Sequence, residues 1–210
     1  MTYQLMQKAV TPEACEVLYD RPFSKESLAE DFEIKGGKWH VDENGWLCGE
    51  NPENSACMVI SKADYFGPVM LEVDCATVLP ATHDINVMWH GSWNEDINKR
   101  HVAYVAGIQG WWDGKVGFEK SPEYTFCCGT QLFPFEPGRE YHLTVGDDNG
   151  HIFVCIDGKL VLEIKDPNPI DNRAYGRIGF EAYCSRLRFK NLKVRRLVME
   201  DHPKRYVPEF

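Results

Sequence analysis

The sequence lacks any run of about eighteen apolar residues, so no helix is expected to cross a membrane. The opening stretch MTYQLMQKAVTPEACEVLYD has no apolar core of the kind a secretory leader needs, which predicts a cytoplasmic chain. The eight cysteines include no CxxC pair and no zinc-ligand spacing. In a reducing cytoplasm they are expected as free thiols, and Cys57, Cys75 and Cys155, inside apolar runs, as small hydrophobes. The adjacent pair Cys127–Cys128 is read as two thiols on opposite faces of a strand, because a bridge between neighbours strains the peptide. Positive charge is short: 23 Lys and Arg stand against 32 Asp and Glu, a formal net charge of −9, so neither nucleic acid nor an anionic membrane is an expected partner. Also missing are the GxSxG elbow, the phosphate-binding GxxxxGK[ST] loop, the GxGxxG fingerprint and the HExxH zinc helix. Helix signals are scarce too. Only SKESLAEDFEI (24–34) carries a capping-box pattern, and it is short.

What remains is strand and turn. YHLTVG, HIFVCI and LVLEIK alternate apolar and polar residues, and Asn149-Gly150 and Asp157-Gly158 between them are type I′ hairpin signals. Glu43-Asn44-Gly45 marks another hairpin, and RIGFEAY and SRLRFKNLKVRRL two later strands. The last of these changes phase between Phe189 and Leu192, which predicts a bulge. Eleven to thirteen strands are expected. Sheets without helices must cover one another, so an all-β, two-sheet antiparallel jelly-roll sandwich follows. The 210 residues are read as one domain, 1–210, with 1–22 and 198–210 peripheral.

The chemistry concentrates in HDINVMWHGSWNEDINKRHVAYVAGIQGWW (83–112), which holds three of the seven histidines and four of the six tryptophans. Strict alternation puts Ile85, Val87 and Trp89 on the core face, and Asp84, Asn86, Met88 and His90 on the other. Asn86 and His90, with Tyr104 or Gln109 from the following strand, would line a concave groove rimmed by Trp93, Trp111 and Trp112. Glu181 and Tyr183 are further groove candidates, and Glu119 another. Aromatic platforms with a few convergent polar groups suit a pyranose, whose C–H faces stack and whose hydroxyls hydrogen-bond. His83 and His90 lie seven residues apart, on opposite faces of an extended strand and about 23 Å apart. No metal site is therefore expected and no cofactor, with a transition-metal site through the loop and a structural calcium as the minor alternatives. The acidic loop NEDINKR reads as a solvated turn, and Asp166 as a turn anchor.

The stretch IDGKLVLEIKDPNPIDNRAYGRIGFEAYCSRLRFKNLKVRRL resembles the C-terminal part of concanavalin A-like lectin/glucanase domains. More narrowly it resembles the bacterial 3-keto-disaccharide hydrolase-like families and the uncharacterised family of rhamnogalacturonan-utilisation clusters. The resemblance implies a carbohydrate-active protein of bacterial glycan catabolism, acting on short imported oligosaccharides by hydrolysis or lyase-type elimination. His90 would then be the base, Glu181 or Tyr183 the acid, and the partner an oligosaccharide. One departure matters. Glucanases of this fold carry E-x-D-x-x-E or E-x-D-x-E, and Glu72-Val73-Asp74-Cys75-Ala76-Thr77 lacks the second Glu that a retaining mechanism would need. The alternatives are a non-catalytic sugar-binding module and a jelly roll that uses its aromatic face to form a homodimer.

Overall fold

The computed structural model describes residues 1–52, 57–110 and 114–202. Fifteen strands build two antiparallel sheets: β1 (Val17–Tyr19), β2 (Phe32–Ile34), β3 (Lys38–Val41), β4 (Leu47–Asn51), β5 (Met58–Ser61), β6 (Val69–Thr77), β7 (Ile85–Gly91), β8 (Ala103–Ile108), β9 (Val116–Ser121), β10 (Thr125–Thr130), β11 (Tyr141–Asp148), β12 (His151–Ile156), β13 (Lys159–Lys165), β14 (Arg177–Ala182) and β15 (Ser185–Arg196). The seven-stranded sheet runs β10-β9-β8-β7-β14-β5-β2, and the eight-stranded sheet β13-β12-β11-β6-β15-β4-β3 with β1 beside β15. Fifteen already exceeds the expected eleven to thirteen, and short pairings outside these sheets add more; one of them, Trp93–Asn94 with Lys99–Arg100, matters below. The single α-helix among the described residues is Lys25–Asp31. Its capping box forms between Ser24 and Ser27, so serine fills the place glutamate usually takes.

Alternation explains the layers. Val87 and Trp89 of β7, Phe118 of β9 and Phe180 of β14 face Leu71 and Val73 of β6, Val145 of β11 and Phe189 of β15 in one inter-sheet core. The phenyl rings of Phe180 and Phe189 stack across it at 4.3 Å. The hairpins lie where the turn residues put them: Asn149 and Asp157 adopt positive φ, each followed by a glycine that does the same. The bulge expected in the last strand falls between Lys190 and Lys193. None of the eight cysteines forms a disulfide among the described residues.

Alternation also fails in β7, and the failure there moves a predicted site residue. Met88 pairs with Gly179 and Gly91 with Arg177, so two residues of β7, Trp89 and His90, oppose Ile178 alone. The extra residue, His90, takes φ 44°. This bulge turns Trp89 and His90 to the same interior side, and shifts Gly91 to the outer face, where a Cβ would stand 2.6 Å from the Met88 methyl. His90 is fully buried, its Nε2 3.1 Å from the Asp147 carboxylate of the opposite sheet and its ring against Tyr104. The expectation that His90 lines the groove is thus corrected. Tyr104 is corrected too. It pairs with Trp89 and shares its interior phase, and its hydroxyl donates to Asp166 at 2.7 Å while accepting from the Ile170 N–H at 2.9 Å.

Candidate functional site on the outer face of the seven-stranded sheet

The outer face of this sheet collects the alternate side chains. Apolar ones come first: Met58 and Ile60 of β5, Met88 of β7, and Ala103 and Val105 of β8 form a small buried cluster. The short hairpin of Trp93–Asn94 and Lys99–Arg100 folds back over it, and the Trp93 indole packs on the cluster with the Lys35 ammonium 5.8 Å from its ring centroid. That contact makes Trp93 a cover over apolar surface, beside the polar part of the face.

Arg100, from the same hairpin, is the centre of that polar part. It is only 6% exposed. Its guanidinium forks to Glu181 Oε2 of β14 at 2.6 Å and to Glu119 Oε1 of β9, while its Nε donates to Ser121 at 3.0 Å. The exposed ring of Tyr124 lies 5.2 Å from the guanidinium carbon. Two carboxylates on strands separated by β8 and β7 are therefore held in place by one buried cation, as a planar fork can do and an ammonium cannot. Burial pushes the Glu181 carboxyl up, with Glu119 adding to the rise and Arg100 opposing it.

Asn86 stands directly opposite Glu181 in the sheet. It is 5% exposed, and its Oδ1 is buried with no hydrogen-bond partner. Asp84, just before β7 at φ 74°, is nearly as deep; its Oδ2 accepts the Tyr183 N–H at 2.9 Å. Gly110 closes over both groups, so that a Cβ there would stand 3.1 Å from Asp84 Oδ1 and 3.3 Å from Asn86 Oδ1. Burial, reinforced by the Glu181 charge, pushes the Asp84 carboxyl up to about 7. Across the same face, Gly129, Gly117 and Gly107 stand opposite one another on β10, β9 and β8, in the row that continues into Asn86 and Glu181. No Cβ rises from that part of the sheet.

The predicted residues thus divide. Asn86, Glu119 and Glu181 meet on one face around Arg100. Tyr183 lies at its border, half exposed, and holds Asp84 through its backbone. Gln109 closes β8 with φ 59°; its carbonyl accepts the Asp84 N–H at 3.2 Å, so it anchors the Asp84 turn. His90 and Tyr104 are interior. Trp111 and Trp112 lie outside the described residues. Glu72 and Asp74 share a face as alternation requires, but on the other sheet, where Glu72 binds Arg195 and Asp74 binds His142 and Asn191. Sequence reasoning missed Asp84, Arg100 and Tyr124. Asp84 sat on the correct face and was passed over; Arg100 was hidden in a loop read as solvated.

Asp84 carries a testable sign. Its folded value lies above the ordinary carboxyl value, so the folded state binds the proton more tightly than the unfolded chain does. Stability is then lost as pH rises from about 4 through 7. Asp84→Asn removes that loss. Its unfolding free energy relative to the parent is expected to rise by about 2–4 kcal/mol between pH 4 and pH 8, measured by urea denaturation. A difference that stays flat with pH would mean the carboxyl titrates normally.

Several solved structures share the architecture. No protein-family model matches the chain, and no curated sequence matches it closely. A protein of unknown function with a galectin-like fold from Bacillus subtilis superposes with a TM-score of 0.69 at 14% identity, over 94% of this chain and 99% of that one. The carbohydrate-binding module CBM66 from Bacillus subtilis gives 0.64 at 17% identity, over 79% and 95%. The transglycosylase Crh5 gives 0.61 at 12% identity, over 85% and 83%. These likenesses show the fold. It is an antiparallel, galectin-like jelly-roll sandwich. Among the described residues, no helix is long and apolar enough to cross a membrane.

Proposed function

We propose that this chain is a carbohydrate-binding protein whose sugar site is the outer face of the seven-stranded sheet around Asp84, Asn86, Arg100, Glu119 and Glu181. The observation that carries the reading is the Asn86 Oδ1 atom. A buried amide oxygen without a donor costs free energy that a ligand hydroxyl recovers. Glycines on three neighbouring strands present no Cβ on that face, and Tyr124 offers an exposed aromatic face at the border. The binding-module name of one similar structure and the transglycosylase name of another agree with a sugar ligand.

A second reading, proton transfer to or from the bound sugar, has one observation in its favour. A carboxyl at about 7 can give or take a proton at neutral pH, and Asp84 is such a group beside Glu181. It replaces the buried His90 as the group to test for glycosidic-bond cleavage by hydrolysis or elimination.

The test is intrinsic tryptophan fluorescence titrated with neutral, amino and uronic mono- and oligosaccharides. Bound samples are then assayed overnight for new reducing ends and for the absorbance of an unsaturated product. Quenching by at least one sugar, with an apparent Kd weakened about tenfold or more by Gly110→Ala, is expected, since the added methyl crowds both acceptors. Quenching that survives Gly110→Ala unchanged would place the sugar elsewhere. Product formed by the parent and lost in Asp84→Asn would establish the catalytic reading.

A further inference from the structure

The site has a charge and donor imbalance that bears on which sugars it admits. Three carboxyl groups, Asp84, Glu119 and Glu181, share the face with the single guanidinium of Arg100. Arg100 is fully engaged with Glu119, Glu181 and Ser121. Three other cations on or beside this sheet are turned to other partners: Lys35 to Glu33 and Glu95, Arg177 to Glu33, and Lys120 to Asp166 on the interior side. The uncommitted group is an acceptor, Asn86 Oδ1, and the Asp84 oxygen near it is an acceptor as well when ionised. The site's uncharged neighbours include Tyr183, whose N–H is used by Asp84, and Tyr124 over Arg100.

Resting on the sugar-site reading above, we infer that the site selects sugars that bring donors and no negative charge: neutral hydroxyl-rich or amino sugars are taken, and uronates are refused. A carboxylate entering this face would meet the carboxyl groups of Glu119, Glu181 and, once ionised, Asp84, while the guanidinium at its centre is already engaged. It would also leave Asn86 Oδ1 without its donor. The cost of confronting charges in a desolvated site is far larger than in water. An ammonium group, by contrast, brings three donors and the complementary charge. The inference points away from uronate-rich plant fragments as the ligand.

The test compares β-1,4-linked tetramers that differ in one substituent per ring and hence in charge: cellotetraose, the glucosamine tetramer and the glucuronate tetramer. A galactose, galactosamine and galacturonate series covers the other common configuration. Each is titrated against the full chain by tryptophan fluorescence at pH 6, 7 and 8. The expected result is that the neutral or amino member of a series binds at least tenfold more tightly than its uronate. The gap between amino sugar and uronate should widen severalfold from pH 6 to pH 8 as Asp84 ionises, while the neutral ligand changes little. Glu181→Gln should narrow the gap at every pH. A uronate that binds as well as its neutral counterpart overturns the inference and leaves the sugar-site reading standing. No binding by any member of either series overturns both.

Discussion

Arg100→Ala lowers the unfolding free energy by about 3–5 kcal/mol at pH 7, the cost of removing one partner from a buried charge network. The expectation follows from what is left behind. Arg100 is 6% exposed and bonds Glu119 and Glu181, neither of which is open to water. Without the guanidinium, two carboxylates face each other in a partly dehydrated site, and their charged forms become the costly ones. The folded carboxyls then titrate higher than in the unfolded chain, so the deficit is present at neutral pH and fades as pH falls toward 4. Urea denaturation of parent and variant at pH 7 and pH 4.5 measures both parts. Arg100→Lys should recover only part of the loss, because an ammonium cannot reach Glu119, Glu181 and Ser121 with the geometry of a planar fork. A loss below about 1 kcal/mol, unchanged with pH, would mean that the carboxylates are hydrated and that Arg100 does not organise the site.

The second large effect lies in the interior. Trp89→Ala is expected to cost about 3–5 kcal/mol, the usual range for truncating a fully buried large aromatic. Trp89 has no exposed surface, and its indole packs 5.7 Å from the Tyr104 ring and 5.8 Å from that of Phe118. Trp89→Phe should cost much less, under about 2 kcal/mol, because phenylalanine keeps most of the ring contacts. The indole N–H has no hydrogen-bond partner, so no bond is lost with it. The pair of variants also assigns the fluorescence signal. Trp89 lies on the side of the sheet away from the proposed sugar face, so sugar-induced quenching should persist in Trp89→Phe. Its disappearance there would move the ligand to the interior side of the sheet.

Much of the architecture was legible because it depends on short-range rules. Asn149-Gly150 and Asp157-Gly158 impose φ values that only a tight hairpin uses, and alternation in the flanking strands sets the register. The phase change after Phe189 announced its bulge for the same reason. The candidate site was legible where alternation held: Asn86, Glu119 and Glu181 were assigned to one face, and they meet there. It failed at His90, where the bulge in β7 has no glycine to mark it; a histidine takes the positive φ, and Gly91, the residue after it, gives no warning by itself. It failed again at Arg100. A loop of mixed charge looks solvated in sequence, and only the fold shows that its last residue is carried over a buried face to two glutamates that alternation alone could not connect to it.

The order of strands has a consequence for how the chain is made. The middle of each sheet is occupied by a late strand: β14 sits between β7 and β5, and β15 between β6 and β4. Leu71 pairs with Val194, and Val87 with Phe180, across long stretches of intervening sequence. While a ribosome is still adding residues before position 177, β4 and β5 have no neighbour joining them to the remainder of their sheets. Earlier hairpins can form, but the sandwich cannot close until residues 177–196 emerge, and both sheets then complete almost together. A polypeptide released before that point would expose four unpaired strand edges, those of β4, β5, β6 and β7, a state prone to aggregation.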